Sequence, residues 1–363
     1  MNATGQSILH AYDTGSTERS IPLNNKSYGA GSATFDMPHA GVPTHVTVSF
    51  SGNLVVKNGT TVGTVTASPM WPYNLLLPSS FVDYSGNTRI SADGYSLYMR
   101  ELLLGQGLEP KAPYSQESYA DQIYTAAIPA GVAGGSVTSP VRFSVTFPVS
   151  LKSTTAWGSY DATVPKGTAQ LTLVENPLTG TYINSPLETS GSSTVSLSGT
   201  WSAEYYYLDA PSSVPLPVQA LSEIHEFYQQ NSETDQIQPG GTPSQVLVTG
   251  RTYYRVIQRL IANNALNTLD VNNVQFLVDS STPTKNETLS KYLFNIRRKF
   301  NRDFPLGMFV WDFMNKPWSP NSYGSLATQL ILSNSISAGA YSALTTVRET
   351  LYVPNGNLVQ AGG

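Results

Sequence analysis

The sequence predicts an all-β chain made of two β-domains in tandem, each with one short helix. Three observations point there. Charged residues are only 12 % of the 363 positions, about half the usual share. Short alternating runs separated by turn residues recur along the whole length. A stretch near the middle of the chain is also echoed near its end.

Composition limits the possibilities first. Hydrophobic residues make up 40 % and tyrosine alone contributes 21 copies, so the chain has material for a large core and is not a disordered polar polymer. Its low-charge polar surface suits close-packed repeated contacts, where unpaired charges are costly to desolvate. A net charge of −4 argues against direct nucleic-acid binding, which requires clustered Lys and Arg to neutralise phosphates. There is no cysteine, hence no disulfide framework and no thiolate metal site. The first twenty residues lack a basic region followed by a sustained apolar one, so they do not read as a signal peptide. No apolar run approaches the roughly 20 residues of a membrane-spanning helix.

Taken in order, the strands begin with His45–Phe50, which alternates with period two, and Asn53–Val56. Asn58-Gly59 follows between β-rich runs and predicts a hairpin back through Thr61–Ala67. Val141–Phe147 and Gln170–Val174 alternate cleanly. After a Gly/Ser/Thr-rich stretch, Thr189–Thr194, the pattern restarts with Val195–Leu197 and Trp201–Leu208. Later strands are expected at Gln245–Val248, Tyr253–Ile261, Val274–Val278, Met308–Phe313, Gln329–Leu332 and Leu344–Val353.

Two helices interrupt this series. The clearer spans about Lys285 to Arg302, with Leu289, Tyr292, Leu293, Ile296 and Phe300 at helical spacing. Thr284 and Glu287 read as its capping box. Arg297, Arg298, Lys299 and Arg302 load its C-terminal half with positive charge, as the helix dipole favours. That cluster reads as a dipole-matched, solvated or interface face before it reads as an anion site. The weaker helix runs from Asp93 through Leu97, Tyr98 and Leu102 to Leu104.

The internal echo pairs QLTLVENPLTGTY (Gln170–Tyr182) with QLILSNSISAGAY (Gln329–Tyr341). Gln170, Leu171, Leu173, Gly180 and Tyr182 match Gln329, Leu330, Leu332, Gly339 and Tyr341. The period is too long for a solenoid and fits a duplicated domain.

On four segments in particular, the second half resembles the C-terminal jelly roll of tectivirus-like double-jelly-roll major capsid proteins. They are GRTYYRVIQRLIANN (Gly250–Asn264), NNVQFLVDSSTPTKNETLSKYLFNIRRKF (Asn272–Phe300), DFPLGMFVWDFMNK (Asp303–Lys316) and SALTTVRETLYVP (Ser342–Pro354). The first half is similar to the partner jelly roll through Thr66–Leu103. The resemblance lies in order and spacing and covers roughly residues 25–354.

It implies two tandem eight-stranded jelly rolls, a double jelly roll, with a short helix associated with each. The expected divisions are an N-terminal arm (1–25), a first jelly roll (26–186), a second (187–354) and a C-terminal tail (355–363). It further implies a structural protein and not an enzyme: homotrimers form pseudo-hexameric capsomers that tile an icosahedral shell, as in bacteriophages, around an internal membrane and double-stranded DNA. The implied partners are further copies of the chain, neighbouring capsomers, minor capsid and vertex proteins, and the membrane at the capsomer base, with no direct nucleic acid. The implied location is the virion, after assembly in the host cytoplasm. Self-contacts are expected to be rich in Tyr, Asn, Gln and Thr, and both terminal arms are expected at the base.

No catalytic, cofactor or metal residues are assigned. Gly-x-Ser-x-Gly, His-Glu-x-x-His, Walker and Rossmann motifs are absent. The four histidines are His10, His39, His45 and His225. His225 between Glu223 and Glu226 could suggest a metal site, but reads better as an exposed segment. Asp303 and Asp312 are conceivable as a glycosidase pair. Two other classes therefore stay beside the capsid reading: a viral spike or receptor-binding protein, and a carbohydrate-binding or glycan-cleaving β-sandwich.

Overall fold

The structure is a computed structural model. It describes residues 15–60, 63–104, 134–151, 156–160, 162–163, 167–180, 183–209, 227–248, 251–278, 282–301, 303–313 and 326–352. The chain divides into two compact units at residues 224/225.

In the first unit, β1 (Thr17–Pro22), β11 (Thr194–Asp209), β4 (Val42–Lys57) and β8 (Ser136–Pro148) form one antiparallel sheet in that order. The short β2 (Lys26–Ser27) also pairs with β11. A second set runs β3 (Ser32–Asp36), β9 (Gln170–Glu175), β6 (Leu76–Val82), β7 (Thr88–Ala92), again antiparallel. The small β5 (Val65–Ala67) pairs with β10 (Leu187–Thr189). The first helix, Gly94–Leu104, follows β7.

In the second unit, β12 (Phe227–Gln236), β20 (Ala343–Tyr352), β14 (Thr252–Ala262) and β18 (Met308–Asp312) form one such set. The other is β13 (Ser244–Leu247), β19 (Leu326–Leu332), β16 (Val271–Val278), β17 (Thr282–Thr288). The short β15 (Ala265–Leu266) returns along β14. The second helix, Leu289–Phe300, follows β17.

Numbering the eight ladder strands of each unit in chain order, both units read 1-8-3-6 in one set and 2-7-4-5 in the other, with the helix between strands 5 and 6. That is the jelly-roll order, and its recurrence makes the halves structural repeats. The matched glutamines hold equivalent places. Gln170 sits opposite Asp36 and Val82, and Gln329 opposite Ser244 and Gln275, which are strands 2 and 4 each time.

Period-two alternation builds the first core. Val46, Val48, Phe50, Phe143, Val145, Phe147, Trp201 and Tyr205 point inward from one sheet, while Phe35, Phe81, Leu171 and Leu173 project from the other. Each such side chain contributes roughly 1.5–3 kcal/mol on burial. The second core gathers Tyr253, Val256, Leu260, Val274, Phe276, Phe309, Trp311, Leu326 and Leu330. Within β4 and β11, Gly52 lies directly opposite Gly199. A Cβ on Gly199 would fall 2.5 Å from the Phe50 ring, and one on Gly52 would fall 2.4 Å from the Ser198 carbonyl oxygen. The glycine pair is the space that the ring needs.

Four expectations are corrected. The first jelly roll is not confined to 26–186. Residues 17–22 are its first strand and 194–209 its last, so the part of the expected arm from Thr17 and the expected start of the second jelly roll at 187 both belong to the first unit. The Asn58-Gly59 hairpin does not form. β4 runs unbroken from Val42 to Lys57 with both edges occupied by β11 and β8, and the Gly59 N–H bonds the Ser192 carbonyl instead. Next, Lys285 does not open the second helix. Residues 282–288 pair with β16, the Thr284 hydroxyl donates to the Phe276 carbonyl at 3.0 Å, and Thr288 is the N-cap, so there is no capping box. Lastly, Leu293 does not join the buried face: it is 39 % exposed, and only Tyr292 is buried. The C-terminal tail, His225 and its flanking glutamates lie outside the described residues.

Candidate assembly surfaces

Asp303 and Asp312 are each held in ion pairs. Asp303 is exposed beside Arg297 at 3.5 Å. Asp312 ends β18 and is neutralised twice, by Lys299 at 2.8 Å and Arg255 at 3.6 Å. Arg255 lies 2.6 Å from Glu349, whose other oxygen accepts from the Tyr228 hydroxyl at 2.6 Å. Strands β14, β18, β20 and β12 thus each supply one member of a buried ionic network. Such a network ties the four strands together in register, each charge set against its counter-charge.

A second polar cluster lies in the first unit. Its members are His45 on β4, Glu204 and Tyr206 on β11, and Arg100 and Glu101 on the first helix. The His45 ring stacks on Tyr206 with centroids 4.3 Å apart, and the Tyr206 hydroxyl donates to Glu204 at 2.9 Å. Burial pulls the imidazole down to about 4, with Arg100 adding to the effect. Burial pushes Glu101 up to about 7, against hydrogen bonds from Thr146 and the pull of Arg100. His39 lies instead against Tyr84, with centroids 4.8 Å apart. No group of three or more potential metal ligands occurs among the described residues. A shallow cavity of about 200 Å³ beside β3, lined by Leu23, Lys26 and Asp36 among others, is smaller than the roughly 300–1,000 Å³ of ordinary ligand sites.

Several large apolar side chains face outward, some of them beside cations. The second helix exposes Leu293 and Phe294 beside Lys291, Arg297 and Arg298. Strand β13 exposes Val246, with Val248 just beyond it, and the turns before β16 and β18 expose Leu269 and Leu306. Sequence reasoning anticipated the basic run but not these apolar neighbours, because helical spacing alone assigned Leu293 to the core and did not place Phe294.

No protein-family model matches the chain, and no curated protein matches its sequence. Solved structures do match its fold. The STIV MCP superposes with a TM-score of 0.69 at 15 % identity, covering 95 % of this chain and 100 % of that one. The virus is Sulfolobus Turreted Icosahedral Virus. A capsid chain of the virus PBCV-1 gives 0.53 at 12 % identity over 93 % and 95 % of the two chains. The major capsid protein of Bacteriophage PM2 gives 0.52 at 10 % over 94 % and 99 %. The repeated strand order and these end-to-end superpositions lead to one conclusion: the chain has the double-jelly-roll fold of viral major capsid proteins.

Proposed function

We propose that this chain is the major capsid protein of an icosahedral virus and acts by assembly, not catalysis. The observation that carries the reading is the end-to-end match to the STIV MCP, which leaves almost none of either chain unaligned. Two structurally repeated units per chain add physical sense. Three chains bring six jelly rolls together, so a three-fold ring acquires a nearly six-fold outline that tiles a shell. Head-to-tail contacts close such a ring when the rotation is right. In this reading the homotrimeric capsomers enclose an internal membrane and double-stranded DNA, meet minor capsid and vertex proteins, and are assembled in the host cytoplasm. Light scattering of the soluble protein tests it. The expected mass is three times 39.1 kDa. A stable monomer at micromolar concentration, with no particles by electron microscopy, would count against it.

A further inference from the structure

The two helices occupy the same place in their units but meet opposite surroundings. The first buries ten of its eleven residues, with Tyr98 stacked on Tyr73 at 4.1 Å. The second buries only Tyr292, whose hydroxyl donates to the Val310 carbonyl at 3.1 Å. On its outer side Phe294 is 65 % exposed and Leu293 39 %. Lys291 stands one turn before Phe294, and Arg297 and Arg298 one turn after, so cations bracket the aromatic ring. Lys291 and Arg298 have no ion pair among the described residues, and Arg297 has only the exposed Asp303. The helix holds four cations and no acid, while the chain as a whole is −4. The remainder of the chain is therefore −8.

We propose that this face of the second helix is a self-association surface and that its occupant is a second copy of this chain. The inference rests on the capsid reading and deepens it by naming a contact. Two observations select the occupant. The structural repeat shows how this position is treated when complete, because the equivalent helix is covered by protein. Charge complementarity shows which protein fits, since an acidic copy of the same chain offers the opposite sign to Lys291 and Arg298, the two helix cations without an ion pair among the described residues. An anionic lipid surface has the same sign, but two partly exposed apolar side chains give it little to bury.

The full chain carrying Phe294→Asp, and separately Lys291→Glu with Arg298→Glu, tests this. Mass by light scattering across a concentration series is read beside circular dichroism and flotation with phosphatidylcholine–phosphatidylserine vesicles. The expected result is wild-type secondary structure and melting in both variants, with self-association weakened by about tenfold or more. If Phe294→Asp fails to fold, the charge reversal alone decides, because both side chains are exposed. Variants that associate as wild type does overturn this inference and leave the capsid reading standing. So does loss of vesicle flotation with association unchanged, which would make the face a lipid contact. A wild-type chain that stays monomeric and forms no particles overturns both.

Discussion

The Trp201 indole N–H donates to Glu175 Oε1 at 2.9 Å, and the other oxygen of the same carboxylate accepts the backbone N–H groups of Gly29 and Gly31, each at 2.9 Å. One buried side chain at the end of β9 thereby joins the last strand of the first unit to the loop between its first two ladder strands. Glu175→Ala strands all three donors. We expect a loss of about 3 kcal/mol or more, read as a lower urea midpoint. Glu175→Gln keeps an acceptor and should cost less. Equal losses for the two variants would refute the account.

The first strand gives a sharper deletion test than an arm would. Removing residues 1–16 leaves β1 whole and should preserve folding. Removal through Pro22 takes away the six-residue ladder from Thr17↔Asp209 to Pro22↔Glu204 and bares the edge of β11. Soluble expression and melting temperature should then fall sharply, with aggregation through the open edge. Equal behaviour of the two truncations would show that β1 is dispensable.

Stability against pH should be shaped by two buried groups acting in opposite senses. Glu101 keeps its proton to about pH 7 when folded, against 4.5 as the reference. The native state therefore binds more protons between those values, and stability falls as pH rises through that window. His45 is neutral down to about pH 4 when folded, against 6.5 as the reference. The unfolded state binds more protons there, and stability falls as pH drops from 6.5 toward 4. Glu101→Gln should raise the melting temperature at pH 8 and leave it nearly unchanged at pH 4. An identical shift at both values would sink the assignment.

In the second unit, Arg255→Met removes the cation 2.6 Å from the buried Glu349 carboxylate and one of two cations beside Asp312. The expected cost is about 3–5 kcal/mol. Arg255→Met combined with Glu349→Leu should recover a large part of that loss, because the buried carboxylate that lost its guanidinium is gone. A double variant no more stable than the single one would mean that the network contributes through packing alone.

Gly199→Ala should destabilise the first unit by forcing Phe50 off its rotamer, by roughly 1–3 kcal/mol. Adding Phe50→Leu removes the ring and should reduce the penalty for the alanine. Calorimetry of the four proteins in this cycle measures the coupling directly.

The all-β class and the duplication were legible because they rest on alternation and on a matched segment, Gln170–Tyr182 against Gln329–Tyr341. Partner choice was not legible. Trp201–Leu208 alternates as a strand should, but nothing local says that its neighbours are β4 and β1 and not strands of the second unit. TERSIP, Thr17–Pro22, is exposed at five of six positions and half-buried at Ile21. It joins through its backbone and leaves no hydrophobic period. TPTKNET, Thr282–Thr288, mimics a helix start because Thr284 and Thr288 also suit the exposed face of an edge strand, while Glu287 turns to the buried side. The polar cluster around His45 and Glu101 was invisible for a related reason: its three segments, at 45, 100–101 and 204–206, are 55 or more positions apart in the chain and converge only when the first helix meets the sheet.

Placing the eighth ladder strand beside the first has a consequence for synthesis on the ribosome. Thr17 cannot meet Asp209 until nearly two hundred intervening residues exist. Until then β4 has only β8 beside it and an open edge where β11 belongs. Contacts of such long sequence separation form slowly, and unpaired edges are the aggregation-prone part of a nascent β-protein. The second unit begins only after β11, so the first can close while the rest of the chain is still being made. Translation speed across Thr194–Asp209 should therefore govern the yield of soluble protein more than speed anywhere in the second half.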